Sequence, residues 1–151
     1  MTDWDFRFIE LARHISGWSK ETGKCVGAVV VGPDRTGQDR EIRATGFNGF
    51  PRGINDDIPE RHDRESGQKH LWSCHAEINA ICNAARIGTP LNDCTMYVSC
   101  YPCVDCAKAI IQSGIVTLVS PAPDLTDSKW GEQFKLAGVM LAEAGMGVKV
   151  L

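Results

Sequence analysis

One histidine, one glutamate and two cysteines near the middle of the chain have the types and spacing of a metal site. His75 and Glu77 stand two residues apart, and Cys103 and Cys106 stand three apart, directly after Pro102. Two cysteines on one helical turn can bind the same ion, and the histidine can add a third ligand if its helix packs beside theirs. Three protein ligands leave the fourth tetrahedral position for water, as in catalytic zinc sites. We therefore expect a Zn²⁺ site made by His75, Cys103 and Cys106, with Glu77 as the base acting on that water.

Both halves of this site fall where helices are predicted to begin. The positive end of a helix dipole favours thiolate over thiol, which suits metal ligation by Cys103 and Cys106. The C-x-x-C spacing also occurs in thiol-disulfide redox proteins, and that is the alternative chemistry. The redox alternative leaves His75 and Glu77 without a role, whereas H-x-E followed by P-C-x-x-C is the signature of zinc deaminases. The sequence favours catalytic zinc.

The elements that position these residues are predicted from hydrophobic periodicity. An amphipathic helix is expected from Asp3 to about Ser19, with one buried stripe made by Trp4, Phe8, Leu11, Ile15 and Trp18. The apolar run from Cys25 to Val31 predicts a strand buried on both faces. The further expected elements are a strand near Glu41 to Gly46, a helix at about His75 to Ile87, a strand at Thr95 to Ser99, a helix from about Cys103 to Ser113, a strand at Ile115 to Ser120, a helix through Trp130 and Ala144, and a closing strand at Val148 to Val150.

This order of elements predicts the fold class. A hairpin followed by alternating helices and strands is typical of a mixed sheet of about five strands with helices on both faces. We therefore expect a three-layer α/β/α domain that spans residues 1–151 as one unit. The stretch from Phe47 to Ser73 loses periodicity and gathers Gly, Pro and charge, so it is predicted to be a long loop that is either functional or mobile.

Composition excludes several classes of protein. The 151 residues carry 16 Lys and Arg against 19 Asp and Glu, and a net charge of -3 disfavours a partner with a phosphate backbone. No apolar run approaches the roughly 20 residues that cross a bilayer, and the segment from Met1 to Arg13 lacks the pattern of a secretory signal. Seven cysteines in such a chain favour reduced thiols or metal ligands. We expect a cytoplasmic protein with neither nucleic-acid nor membrane partners.

Four stretches of the sequence carry a family resemblance. They are WSKETGKCVGAVVV, TGFNGFPRG, CHAEINAI and YPCVDCAKAIIQSGI. Together they resemble the deoxycytidylate (dCMP) deaminases of the cytidine deaminase superfamily, over nearly the whole chain. The resemblance implies a cytidine-deaminase-like fold and the hydrolysis of dCMP to dUMP and ammonia, which supplies dUMP for dTMP synthesis. It also implies that Glu77 cycles as base and acid during attack on C4 of cytosine.

The resemblance extends to substrate contacts outside the zinc site. It implies that Asn48 meets the deoxyribose hydroxyl and that the backbone of Ala76 and Ser99 contacts the base. Tyr101 is expected to border the base pocket, although an aromatic residue beside a helix start can equally be packing. The Asn48–Gly49 pair is also a strong turn former.

The resemblance further implies regulation and assembly. Members of the family are commonly homohexamers activated by dCTP with Mg²⁺ and inhibited by dTTP. The candidate residues for this allosteric nucleotide site are Lys20, Asn48, Gly49 and Arg52. The sequence alone does not choose the cation that binds the substrate phosphate among Arg52, Arg61, Arg64, Lys69 and Lys108.

Three other functions remain alternatives at this point. A polynucleotide deaminase acting on tRNA or single-stranded DNA would need a basic, aromatic-lined channel, which the net charge disfavours. A nucleoside deaminase would share the zinc site. A zinc module without catalysis would not need Glu77.

Overall fold

The computed structural model describes residues 2–151. Its five strands form one mixed sheet in the order β2-β1-β3-β4-β5. β1 pairs antiparallel with β2 and β3, whereas β3, β4 and β5 are parallel. This confirms the predicted mixed sheet of five strands. Its strands are β1 (Gly27–Val31), β2 (Ile42–Phe47), β3 (Thr95–Val98), β4 (Thr117–Ser120) and β5 (Gly147–Val150).

Helices cover both faces of the sheet. The helix α1 packs on one face, and α3, α4 and α5 lie on the other, where each connects two parallel strands. The three-layer α/β/α prediction is therefore confirmed. Within residues 2–151, no helix is long and apolar enough to span a membrane. The helices are α1 (Asp3–Ser16), a 3-10 helix (Pro59–His62), α2 (Gln68–Trp72), α3 (Ala76–Ile87), α4 (Val104–Gln112) and α5 (Gly131–Glu143).

Strand β1 is the centre of the core. All five of its residues are buried, as its apolar run predicts. Because side chains alternate along a strand, Ala28 and Val30 lie in the apolar cluster on the side of α3, whereas Val29 and Val31 lie in the cluster on the side of α1. Two independent apolar layers thus hold helices on opposite sides of the same strand.

The predicted buried stripe of α1 is wrong at both ends. Trp4 and Trp18 are 40% and 53% exposed, and the helix ends before Trp18. The reason is a close approach at the middle of the helix: a Cβ on Gly27 would lie 2.0 Å from the carbonyl oxygen of Ala12. That contact turns the small Ala12 toward β1. The buried apolar residues of α1 are consequently Phe8, Ile9, Ala12 and Ile15.

A buried polar group also ties α1 to the sheet. The Asp5 carboxylate accepts hydrogen bonds from the Tyr97 hydroxyl (3.0 Å), the Lys149 ammonium (3.2 Å) and the backbone N–H of Thr2 (2.8 Å). Burial acts to raise the pKa of Asp5, but these hydrogen bonds outweigh it and hold the pKa below its usual value. The Asp5 carboxylate thereby joins the start of α1 to β3 and β5.

The segment predicted as a long loop contains two short helices. The 3-10 helix and α2 have four and five residues, too few to produce a hydrophobic period in the sequence. An isolated bridge between Gly49 and Cys74 closes the segment at its base. The segment therefore folds back beside the start of α3.

Candidate metal and active site

The three predicted metal ligands lie together at the adjoining N-termini of α3 and α4. The His75 Nδ1 atom is 3.4 Å from the Cys103 Sγ atom and 3.3 Å from the Cys106 Sγ atom, and the three donor atoms all lie within 4.8 Å of one another. In a tetrahedral site with Zn–N near 2.0 Å and Zn–S near 2.3 Å, such nitrogen and sulfur atoms stand roughly 3.5 Å apart. The donors and their spacing fit a zinc ion.

Local structure at both helix starts favours ligation over capping. His75 and Cys103 are the N-cap residues of α3 and α4, and neither side chain caps its helix. Ser, Thr, Asp and Asn are the residues that stabilise this position by accepting a backbone hydrogen bond. The N-termini of α3 and α4 therefore lack a stabilising side-chain cap. The His75 imidazole and the Cys103 thiol are instead free to face each other.

Hydrogen bonds within this cluster shift the pKa values of its three groups in different directions. Hydrogen bonds from Cys106 and then from His75 lower the pKa of Cys103 to about 4, despite burial. The hydrogen bond to Cys103 raises the pKa of His75, and the same kind of bond together with burial raises that of Cys106. Two donors thus surround one thiolate. A divalent cation bound here would displace those protons.

Glu77 lies beside the cluster in the first turn of α3. Its side chain is buried, at 4% exposure, and interacts with the Cys106 thiol. Burial raises the pKa of Glu77 above its usual value, because the charged carboxylate is poorly solvated there. A carboxyl group with a raised pKa is suited to accept and return a proton near neutral pH.

These residues line a cavity of about 390 Å³. His75, Glu77 and Cys103 form part of its wall, so the metal cluster opens directly onto it. The four residues that the resemblance assigned to substrate contacts also line it, namely Asn48, Ala76, Ser99 and Tyr101.

Two of those four side chains are already engaged in holding the wall together. The Asn48 amide accepts a hydrogen bond from the Val26 N–H (2.8 Å) and donates one to the Lys24 carbonyl (3.0 Å). The Ser99 hydroxyl accepts one from the Gly27 N–H (3.0 Å). Ser99 thus has its side chain directed to β1, which is consistent with a contact to ligand through its backbone.

Tyr101 stands in an aromatic group at one side of the cavity. Its ring packs edge-on against Phe134, at a centroid distance of 5.7 Å. Trp130 stacks on Phe134 and approaches the His75 imidazole edge-on at 6.0 Å. Tyr101 therefore both packs against Phe134 and borders the cavity.

The four residues proposed for an effector do not converge on one place. Lys20 lies in a second groove, where it pairs with Asp56 at 3.1 Å, whereas Asn48 lines the main cavity. Gly49 pairs with Cys74, and Arg52 contacts Asn83 on α3.

The structure separates the cations that the sequence left as equal candidates for a phosphate. Arg64 and Lys69 line the cavity. Arg61 instead stacks on Trp72, and Lys108 pairs with Asp105 on the surface of α4. Arg52 is held by its contact to α3.

Several residues of the cavity wall escaped the sequence analysis. A usable signal existed for some of them, because ligands in open α/β sheets bind beyond the carboxyl ends of parallel strands. The residues after β3 and β4 occupy that position. No local pattern marked the others. The missed residues are Lys24, Val26, His70, Ser73, Pro121, Ala122, Pro123, Asp124, Asp127, Trp130 and Phe134.

Comparison with known proteins agrees with this geometry. Residues 2–121 match the family model described as "Cytidine and deoxycytidylate deaminase zinc-binding region". The chain is 36% identical over 151 residues to the "Uncharacterized deaminase in luxG 3'region" of Aliivibrio fischeri, covering 98% of this chain and 93% of that one. It is 35% identical over 144 residues to the deoxycytidylate deaminase of Homo sapiens, covering 91% and 77%.

A solved structure shares the whole fold. The dCMP deaminase of the cyanophage S-TIM5, in complex with dCMP and dUMP, matches with a TM-score of 0.80 over 100% of this chain and 99% of its own. Its sequence identity to this chain is 23%, so the likeness shows a common fold.

Proposed function

Because the chain belongs to the cytidine and deoxycytidylate deaminase family, we propose that it hydrolyses dCMP to dUMP and ammonia in a zinc-dependent reaction. One observation carries the proposal: the Glu77 carboxyl is buried beside the His75, Cys103 and Cys106 donors, at the wall of a cavity. The deoxycytidylate deaminases among its relatives supply the substrate class.

The metal part of the proposal rests on the donor set. One nitrogen and two sulfur donors suit Zn²⁺, and three protein ligands leave one position free. A zinc ion bound there would supply a Lewis acid that makes a water molecule a better nucleophile at neutral pH.

Glu77 performs the proton transfers in this proposal. Its carboxylate takes a first proton from the attacking water and delivers it to N3 of cytosine. It then takes the second proton from the hydroxyl formed at C4 and delivers it to the amine, which leaves as ammonia while the C4 carbonyl of dUMP forms. Its burial keeps bulk water away from the carboxyl during these steps. The backbone of Ala76 and Ser99 borders the same space and is proposed to hold the base, with Tyr101 at its edge.

The nucleotide end of the substrate needs cations, and the cavity provides them. Lys24 and Arg64 line the cavity and stand in no ion pair among residues 2–151. Charge-assisted hydrogen bonds from such groups favour a phosphate over a neutral hydroxyl. The net charge of -3 disfavours a polynucleotide strand relative to a small anionic nucleotide.

Regulation, assembly and location remain part of the proposal. We propose that dCTP, with Mg²⁺, activates the enzyme and that dTTP inhibits it, in a homohexamer acting in the cytoplasm to supply dUMP for dTMP synthesis. A dCMP saturation curve measured with and without dCTP tests the activation. A left shift or sharpening is expected if dCTP favours the active state, and an unchanged curve would argue against activation.

The main experiment compares four substrates. Ammonia release and the ultraviolet change are followed with dCMP, deoxycytidine, dCTP and a cytosine-containing oligonucleotide. We expect turnover of dCMP with the highest kcat/KM. Inactivity on dCMP combined with turnover of the oligonucleotide would replace this proposal with a polynucleotide deaminase, and preference for deoxycytidine would replace it with a nucleoside deaminase.

A further inference from the structure

The Arg64 side chain, which lines the cavity, lies against the backbone at Gly23. Gly23 is directly beneath its guanidinium group, so a Cβ added at Gly23 would lie 2.1 Å from Nη1 and 2.4 Å from Cζ of Arg64. Real Cβ atoms do not approach other heavy atoms this closely. The guanidinium can occupy its present position only because residue 23 has no side chain.

The segment that carries Arg64 is held by a buried ion pair. The Lys69 ammonium is 2.9 Å from the Glu21 carboxylate, and the two side chains are only 6% and 1% exposed. The Ser73 hydroxyl donates a second hydrogen bond to Glu21 at 2.6 Å, and the Lys69 backbone N–H bonds the Asp63 carbonyl at 2.9 Å. Residues 21 and 23 therefore hold the segment at 63–73 from one side, and Arg64 lies between the main cavity and the second groove, both of which it lines.

Two of the other basic residues of the cavity, Lys69 and His70, are already engaged. Lys69 is neutralised by Glu21. Burial and then the neighbouring Lys129 lower the pKa of His70, which favours its neutral form. Lys24, like Arg64, has no carboxylate within ion-pair distance among residues 2–151, but its ammonium is a point charge without the planar fork of a guanidinium. Arg64 has no carboxylate within ion-pair distance among residues 2–151, so its fork of N–H donors is available.

We infer that Arg64, seated on Gly23, is the residue that selects a 5′-phosphorylated substrate over the nucleoside. A guanidinium group donates two parallel hydrogen bonds to a phosphate, whereas a neutral 5′-hydroxyl offers it no charge to pair with. Gly23 is a positioning residue that fixes where the fork lies. This inference rests on the proposed function, since it assigns one part of the same substrate.

Two substitutions test the assignment in different ways. Arg64→Gln removes the charge. Gly23→Ala leaves the arginine in place but displaces its guanidinium, because the far end of a flexible side chain moves more easily than backbone. Gly23 is not among the residues with positive φ, so alanine fits its backbone conformation.

The controls match each substitution. Arg86→Gln removes the same charge from an exposed position in the last turn of α3, at the end opposite to the metal cluster. Gly147→Ala adds the same methyl group in β5, where the Cβ would make ordinary contacts of 3.5 Å or more. Bound zinc and thermal unfolding of all four variants show whether the fold is kept.

The measurements are kcat and KM for dCMP, and the inhibition constants of dUMP and deoxyuridine. For Arg64→Gln we expect KM to rise about 10- to 100-fold, the factor that corresponds to losing a charge-assisted hydrogen bond, with kcat changed less than about threefold. Inhibition by dUMP should weaken by the same factor, and inhibition by deoxyuridine should stay within about twofold. Gly23→Ala should shift the same constants in the same direction, and both controls should match the parent protein.

The outcomes separate this inference from the proposed function. A parent protein that does not turn over dCMP contradicts the proposed function. A parent protein active on dCMP whose Arg64→Gln variant keeps its KM and dUMP affinity overturns the inference alone. Equal weakening of dUMP and deoxyuridine would also overturn it, since phosphate selection would then be absent. A normal KM in Gly23→Ala would overturn the role of Gly23.

Discussion

Replacement of Glu77 by glutamine separates catalysis from folding at the metal cluster. The two side chains have the same length and nearly the same volume, so glutamine fits the buried position of Glu77. Only proton transfer is lost. One general acid-base group contributes about 10²- to 10⁴-fold to a rate. Because Glu77 is proposed to act at the water, at N3 and at the amine, we expect the upper end of that range.

The expected fall in kcat is therefore about 10⁴-fold, equivalent to roughly 5 kcal/mol of activation free energy. The assay follows ammonia release from dCMP at saturating substrate, with zinc content and thermal unfolding measured on the same preparation. Glu132→Gln is the matched control, since it makes the same chemical change at an exposed residue of α5. A Glu77→Gln protein that binds zinc and turns over dCMP normally would refute the proposed role of the carboxyl.

Three further predictions concern the metal, the packing and the pH dependence of stability. Chelation, or Cys103→Ala, should remove both bound zinc and activity, and about one zinc per chain should restore the chelated protein; full activity of a metal-free preparation would contradict the assignment. Gly46→Ala should lower the free energy of unfolding by about 1–3 kcal/mol and weaken zinc retention, because a Cβ there would lie 2.3 Å from the carbonyl oxygen of Ala76 in α3, and backbone must move. The pKa of Asp5 is lowered in the folded protein, so its contribution to stability is present above the ordinary value of 3.8 and is lost as pH falls through the folded value. Urea unfolding should therefore show Asp5→Asn less stable by about 1–3 kcal/mol at pH 7, with a smaller difference near pH 3, and a constant difference would count against this linkage.

Much of the architecture was predictable because it depends on local patterns. The run at Gly27–Val31 is apolar at every position, which only a strand covered on both faces requires. Alternation of strand and helix then determined a layered α/β domain. The prediction of the buried stripe of α1 was wrong because the orientation of this helix depends on the contact between Ala12 and Gly27, which are distant in sequence. The two short helices of the segment at 59–72 were also missed, because four and five residues are too few to repeat a hydrophobic period.

The sequence by itself determined the chemistry of the metal cluster. Ligand preference is a property of residue type, and the spacing of Cys103 and Cys106 places both on one helical turn. The tertiary structure alone decided what surrounds that cluster. It brought the N-termini of α3 and α4 together, buried Glu77 beside them, and divided the cations into paired and free ones. Such choices depend on contacts across tens of residues, as between Glu21 and Lys69 or Gly23 and Arg64, and no local period or spacing encodes them.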